Sequence, residues 1–363
     1  MLELVTAGES HGPALVAIVT GLPAGLRLDC DAIDRDLRRR QEGYGRSPRQ
    51  KLEKDQIEVL AGLRHGLTLG SPLALVIRNR DYANWAWGMS PWLPDGEPMG
   101  KGSEPVTLPR PGHADLAGAL KFGHDDVRNA LESASARQTA VHVAAGAVAK
   151  ALLDEIGVFV AGIVVQIGSA TREEGWRQAT DEARAERDTL GGVVEVCADG
   201  VPPGLGSYTG KGDRLDTRLA AALMGIQAVK GVEIGDGFAL AGKRGSDVHD
   251  EIEPGLRRAT NRAGGIEGGI TNGEPVVVRA AMKPLPTLMR PLRSIDLASG
   301  EPGEALVERS DVQAVEALAV VAEAAVAWEL ARAAKEKFGG DALVDFVAAH
   351  AGYLERIGWP RER

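Results

Sequence analysis

The sequence predicts an α+β fold in one domain. Three observations lead there. Strand-like and helix-like segments alternate without the strict rhythm of a parallel βαβ fold. Two long alanine-rich segments of helical character, 125–156 and 311–338, each accompany a set of short apolar segments, which points to two similar halves around one core. No stretch reads as a linker, and 363 residues suffice for one large core.

In order along the chain, residues 2–6 and 14–20 read as strands joined by the polar turn Glu9-Ser10-His11-Gly12. Residues 31–41 read as a helix with Ile33 and Leu37 on one face and Arg38, Arg39 and Arg40 at its end. Residues 57–61 and 72–77 are two more strands. Residues 81–123 have no sustained period and are rich in Gly, Pro and Trp, which marks a long functional loop. The first long helix, 125–156, is followed by a strand at 158–165, a charged surface helix at 172–188 and a strand at 193–197. A helix at 215–224 leads into a glycine-rich strand region reaching 238. Residues 242–272 read as a second long loop, and 275–282 as a strand. The last long helix is expected to start at Asp311, with Ser310 and Gln313 as a capping box.

Composition removes several function classes. A net charge of −9 argues against sequence-independent nucleic-acid binding. No apolar run approaches the roughly 20 residues of a membrane span, and the first residues show no basic-then-apolar export signal. Two cysteines, Cys30 and Cys197, are too few for a disulfide scaffold or a zinc ribbon. The expected setting is a reducing cytoplasm.

Four pieces carry chemistry. Residues 38–51 place Arg46 and Arg49 beyond a Gly-Tyr-Gly turn, where a solvated helix end does not account for them. Arginine's planar fork suits carboxylates and phosphates, so a small multi-anionic ligand is expected. Arg110, His113 and Asp115 lie on a Pro-Gly-shaped loop. A single loop histidine is usually structural, but His11 and His113 both occupy glycine-bounded polar turns. Neither has the companions of a metal site or a Ser-His-Asp triad, and no metal is expected. In the first long helix, Arg128, Glu132, Ser135, Thr139 and His142 form one polar stripe that reads as a solvent face. Arg137 lies off that stripe among alanines, and a buried arginine needs an anionic partner. Finally, Pro284-Leu285-Pro286 fixes extended backbone after a strand, able to present amides to a flat ligand.

Together, Gly8-Glu9-Ser10-His11-Gly12, Ser135-Ala136-Arg137-Gln138-Thr139 and Arg309-Ser310-Asp311 occur in the order of the three signature segments of the chorismate synthases, which they closely resemble. The segments RRRQEGYGR, RPGHAD, AVKGVEIGDGF, GGIEGGITNGEP and MKPLPT also resemble that family, over residues 2–338. Ser133 and Gln227 depart from it, where arginine and asparagine are common.

The resemblance implies a β-α-β sandwich core with long active-site loops, usually a homotetramer. It implies an anti 1,4-elimination of phosphate and the C6 proton from 5-enolpyruvylshikimate 3-phosphate, giving chorismate. Reduced FMN is required without net redox change. With no large insertion in the chain, a separate flavin reductase is the expected supplier. By resemblance, Ser10, Arg40, Arg46, Arg49, Arg110 and Arg137 contact substrate, and Arg40 and Arg46 are also positions assigned to NADP. Flavin contacts fall on Ser135, Ala136, Arg137, Gln227, Ala228, Gly268, Lys283, Pro284, Leu285, Pro286, Thr287 and Arg309. His11 is placed near the departing phosphate, His113 near the flavin ring, and Asp311 near flavin N5. Two rival classes fit less well. A nicotinamide oxidoreductase lacks its Gly-x-Gly-x-x-Gly between strand and helix, and a noncatalytic anion-binding module has no use for two loop histidines.

Overall fold

A computed structural model describes residues 1–46, 54–307 and 311–359. One sheet contains β1 (Glu3–Ala7), β2 (Ala14–Thr20), β3 (Glu58–Ala61) and β4 (Leu73–Arg78), in the order β1-β2-β4-β3. A second contains β5 (Phe159–Ile167), β6 (Gly192–Asp199), β7 (Val229–Ile234) and β8 (Val276–Met282), in the order β5-β6-β8-β7. Every pairing in both sheets is antiparallel, and the second order repeats the first. The expected two halves are present, and the fold is α+β.

The helices are α1 (Cys30–Gln41), α2 (Asp115–Phe122), α3 (Arg128–Ser133), α4 (Thr139–Asp154), α5 (Glu173–Ala185), α6 (Leu215–Met224), α7 (Val315–Phe338) and α8 (Leu343–Arg356). Helix α4 packs on β2 and β4, α7 packs on β5 and β6, and α4 and α7 pack on each other. The layers are therefore sheet, helices, sheet. Alternation decides which sheet face is inside: Leu15, Ala17 and Val19 of β2, and Val194, Val196 and Ala198 of β6, point to the helices. Helices α4 and α7 are apolar on nearly all sides, as a helix between two sheets must be. Their alanines let the backbones approach closely. At Gly146 of α4 an added Cβ would lie 2.3 Å from the Cβ of Ala324 in α7. One charged knot crosses this layer. Glu323 of α7 accepts two 2.9 Å bonds from Arg39, one of 2.6 Å from Lys150, and one of 2.9 Å from the Gly162 amide. These donors hold its carboxyl below the usual range although burial pushes the other way.

Four expectations need correction. The first long helix is not continuous over 125–156. It breaks after α3, runs through a single 3-10 turn at Ala136–Gln138, and resumes as α4. Alanine content does not register the cause, which is competition for carbonyls. Thr139 Oγ1 (2.7 Å) and Arg40 Nη2 (3.1 Å) take the Ala136 carbonyl, and Gln138 Nε2 takes that of Ser133 at 2.9 Å. Residues 81–123 are not all loop, since α2 occupies the end and Asp115 begins it. Residues 242–272 hold a four-residue helix at Gly245–Val248 and two small hairpins. Helix α7 starts at Val315, four residues after Asp311, because Gln313 turns back to accept from the Val315 amide at 2.7 Å. Ser310 lies outside the described residues, so the capping box is outside them too. Helix α8 and the hairpin of Arg293–Ile295 with Pro302–Glu304 have no counterpart among the sequence expectations. Among its residues α8 buries only Phe346, against Phe338, which leaves little periodic signal.

Candidate active site

A cavity of about 420 Å³ opens where the helix break meets the ends of β1, β2 and β8. The turn between β1 and β2 brings His11 there. Gly8 at φ +130° makes the turn possible, since a Cβ would meet the Ala14 carbonyl at 2.6 Å. Glu132 of α3 holds the two residues at the tip of this turn. Its carbonyl accepts the Ser10 amide at 3.1 Å, and its carboxylate accepts the His11 amide at 3.0 Å. Both carboxylate oxygens lie against His11 Nδ1, at 2.8 and 2.9 Å. The imidazole also stacks on Trp85, with centroids 3.9 Å apart and planes 19° from parallel.

His113 repeats the pattern from another loop. Its Nδ1 lies 2.5 Å from Asp115 Oδ1. A carboxylate at that distance assigns the proton to Nδ1. The 3.2 Å approach of Arg110 Nη2 to the same nitrogen therefore reflects two donors converging on Asp115 Oδ1 rather than a hydrogen bond between them. Arg110 donates to Asp115 Oδ2 through its amide at 3.0 Å and Nε at 2.9 Å, and to Thr287 Oγ1 at 3.0 Å. Burial would raise the Asp115 carboxyl, but the His113 and Arg110 bonds outweigh it and hold it well below the usual carboxylate range.

Three more arginines complete the cationic side. Arg137 pairs with Asp55 through both guanidinium ends, each 2.7 Å, and donates to Asn79 Oδ1 at 3.0 Å. Arg40 shares the same Asp55 at 3.4 Å and donates to Thr139 Oγ1 at 2.8 Å. Burial pushes Arg40 down to about 10, with Asp55 opposing and the Arg137 and Arg46 cations adding to the shift. Arg46 meets Asp311 at 2.9 Å. Among the described residues, Arg40, Arg46 and Arg137 stand against Asp55 and Asp311, a buried cationic cluster that favours an anionic ligand.

The opposite wall is apolar and comes from the second half: Ile226, Ala228, Met282, Leu285, Pro286, Ala314, Ala317, Leu318 and Val321. Gln227 and Thr287 add polar groups. Ala228 sits at φ +69°, a costly conformation for a residue with a Cβ, and its carbonyl accepts the Lys283 amide at 2.9 Å.

The structure brings Ser10, His11, Arg40, Arg46, Arg110, His113, Ser135, Ala136, Arg137, Gln227, Ala228, Leu285, Pro286, Thr287 and Asp311 to this one cavity. Gly268, Lys283 and Pro284 are not on its lining. Gly268 sits in the turn joining Ile266–Glu267 to Ile270–Thr271, and the Lys283 ammonium is spent on the Gly112 carbonyl. The Leu285 carbonyl is already used by Thr189 Oγ1 at 2.7 Å. Arg49 and Arg309 lie outside the described residues. Sequence reasoning misses Glu132, Asp55 and Trp85 as parts of the site. Helical spacing puts Glu132 on a solvent stripe, yet it is 1% exposed. The buried-arginine argument made for Arg137 calls for an acidic partner but does not single out Glu132. Asp55, the partner that argument demands for Arg137, carries no local signal.

A family model described as chorismate synthase matches residues 2–334. The chain belongs to the chorismate synthase family. It is thereby a carbon–oxygen lyase of the last step of the shikimate pathway. Chorismate synthases of Desulforudis audaxviator (strain MP104C) and Rubrobacter xylanophilus (strain DSM 9941) are both 54% identical to it, covering 98% and 99% of this chain and 98% of each relative. A solved structure, "Crystal Structure of Chorismate Synthase", superposes with a TM-score of 0.78 at 39% identity over 98% of both chains. Membership in the chorismate synthases accords with the cationic cavity and with the α+β fold.

Proposed function

We propose that this cavity converts 5-enolpyruvylshikimate 3-phosphate to chorismate with reduced FMN present. The observation that carries this reading is the division of one cavity of about 420 Å³ into a cationic side with two carboxylate-held histidines and an apolar side. The substrate's two carboxylates and phosphate match the arginines Arg40, Arg46, Arg110 and Arg137. The donor set also fits FMN. Ser135, Gln227 and Thr287 stand beside an apolar wall of Ala228, Leu285 and Pro286, which suits a flat ring system carrying polar edges. Reduced FMN, when bound there, would supply an electron-rich ring and be unchanged over the cycle.

The chain's own groups do the rest. Arginines orient the substrate and hold its anions away from water. His11 donates a proton from Nε2 to the phosphate oxygen as the carbon–oxygen bond breaks and that oxygen takes the electron pair. Asp311 takes up the C6 proton; the electrons of that bond form a double bond to the adjacent ring carbon, and the existing ring double bond shifts one place to the carbon that phosphate leaves. Arg46 holds Asp311 in place until substrate anions compete for it. NADP at Arg40 and Arg46 would occupy the substrate's anion site, so the two would compete. Around this chemistry we place one folding unit, a homotetramer, a cytoplasmic setting and a separate flavin reductase. The two unpaired cysteines and the lack of any helix apolar enough to cross a membrane among the described residues are consistent with that setting.

The test is anaerobic turnover with dithionite-reduced FMN. Equal amounts of chorismate and inorganic phosphate are expected, with no NADPH consumed. Absence of product, or a stoichiometric loss of NADPH, contradicts the proposal.

A further inference from the structure

We infer that Glu132 is a positioning residue for His11, fixing the imidazole proton on Nδ1 and turning Nε2 to the cavity. The inference rests on the proposed role of His11 as proton donor and deepens it. A carboxylate only accepts hydrogen bonds, so Nδ1, lying 2.8 and 2.9 Å from its two oxygens, must be the donor. Glu132 is itself held. Its side chain is 1% exposed, it accepts the His11 amide at 3.0 Å, and its own carbonyl accepts the Ser10 amide at 3.1 Å. Ring rotation is blocked from the side by Trp85, stacked at 3.9 Å and anchored through Nε1 to Asp81 at 3.0 Å.

The chemical consequence concerns the moment after proton transfer. When Nε2 gives its proton to the departing phosphate oxygen, the neutral ring left behind is the Nδ1–H form. Glu132 already holds that form, so no hydrogen bond has to reorganise as the carbon–oxygen bond breaks. A triad aspartate orients its histidine by the same logic. The neighbouring dyad shows why Glu132 is the cleaner case. Asp115 serves His113 and Arg110 together at hydrogen-bond distance, whereas Arg128 approaches Glu132 only to 3.7 Å. The placement also explains why α3 ends where it does. The break at 134–138 that aims Arg137 at its subsite fixes the short helix carrying Glu132 across from the β1–β2 turn.

The experiment combines two measurements on the full chain. Nitrogen-15 histidine NMR of the parent, assigned with His11→Asn, reads which ring nitrogen carries hydrogen, with no substrate needed. Hydrogen on Nδ1, alone or together with Nε2, is expected, and a ring protonated on Nε2 alone overturns the inference whether or not the protein is active. The second measurement is anaerobic single turnover with reduced FMN preloaded, comparing the parent with Glu132→Gln. The amide has one oxygen for the two His11 donors, so mixed tautomers are expected. Phosphate release should slow on the order of 100-fold, with substrate affinity within about twofold. Glu132→Gln with the parent tautomer and the parent rate overturns the inference. A parent that turns nothing over while showing Nδ1–H contradicts the elimination reading and leaves the positioning of the ring supported.

Discussion

The two halves of the molecule share a strand order and differ in what they deliver. In the first, the path into α4 breaks at 134–138, and the break turns Ser135, Ala136 and Arg137 into the cavity. In the second, α7 runs 24 residues without interruption, and its first turns offer only Ala317, Leu318 and Val321. The first half supplies Arg40, Arg46, Arg110, Arg137 and both histidines; the second supplies the apolar wall and one carboxylate, Asp311. The repeated topology thus determines where a cavity forms, and the first half determines its charge, the helix break adding Arg137 to Arg40, Arg46 and Arg110.

The largest stability effect should fall on the first half's buried charges. Asp55→Ala leaves Arg137 and Arg40 without their shared carboxylate, and breaking such a pair costs about 3–5 kcal/mol. The matched control is Glu195→Ala in the second sheet, whose 2.7 Å pair with Arg279 is half-exposed. It should cost about 0–1 kcal/mol. Urea denaturation of both variants checks the contrast, and equal costs would break it.

Next in size is the seam where the halves meet. Gly146→Ala would push a methyl group onto Ala324, at 2.3 Å from its Cβ and 2.6 Å from its Cα. Overpacking of this kind costs about 1–3 kcal/mol. Thermal unfolding should remain a single transition at lower temperature, because α4 and α7 share one core. Two separated transitions would show that the halves are independent.

The smallest effect is acid sensitivity at Asp115. Its folded carboxyl titrates below its unfolded value, so its contribution is complete above about pH 4 and fades as pH falls through the depressed folded value. The stability gap between parent and Asp115→Asn should therefore narrow from pH 5 to pH 3. A gap that widens over that window has the wrong sign for this account.

Much of the scaffold is legible in the sequence because its periods are regular. The bounds expected for residues 14–20 and 215–224 are those observed, and α1 is placed to within a residue, since alternation or a helical face repeats there without competition. The helix break is not legible. It depends on Arg40, Gln138 and Thr139 claiming backbone groups, and Arg40 is 96 residues away from the carbonyl it takes. The arginine run shows the same limit. Arg38, Arg39 and Arg40 look alike in sequence, yet Arg38 is exposed, Arg39 binds Glu323, and of the three only Arg40 enters the cavity. The histidines stand out through their glycine-bounded turns. Their carboxylate partners do not, because Glu132 comes from 121 residues away and Asp115 looks like a loop acid.

The most direct test of the division between the halves is anaerobic single turnover with reduced FMN preloaded, comparing the parent with His11→Ala. The account predicts that His11→Ala folds, binds substrate through the untouched arginines, and releases phosphate about 10²–10⁴-fold more slowly. Phosphate release at the parent rate would contradict it, because the cationic half would then bind substrate without supplying the proton.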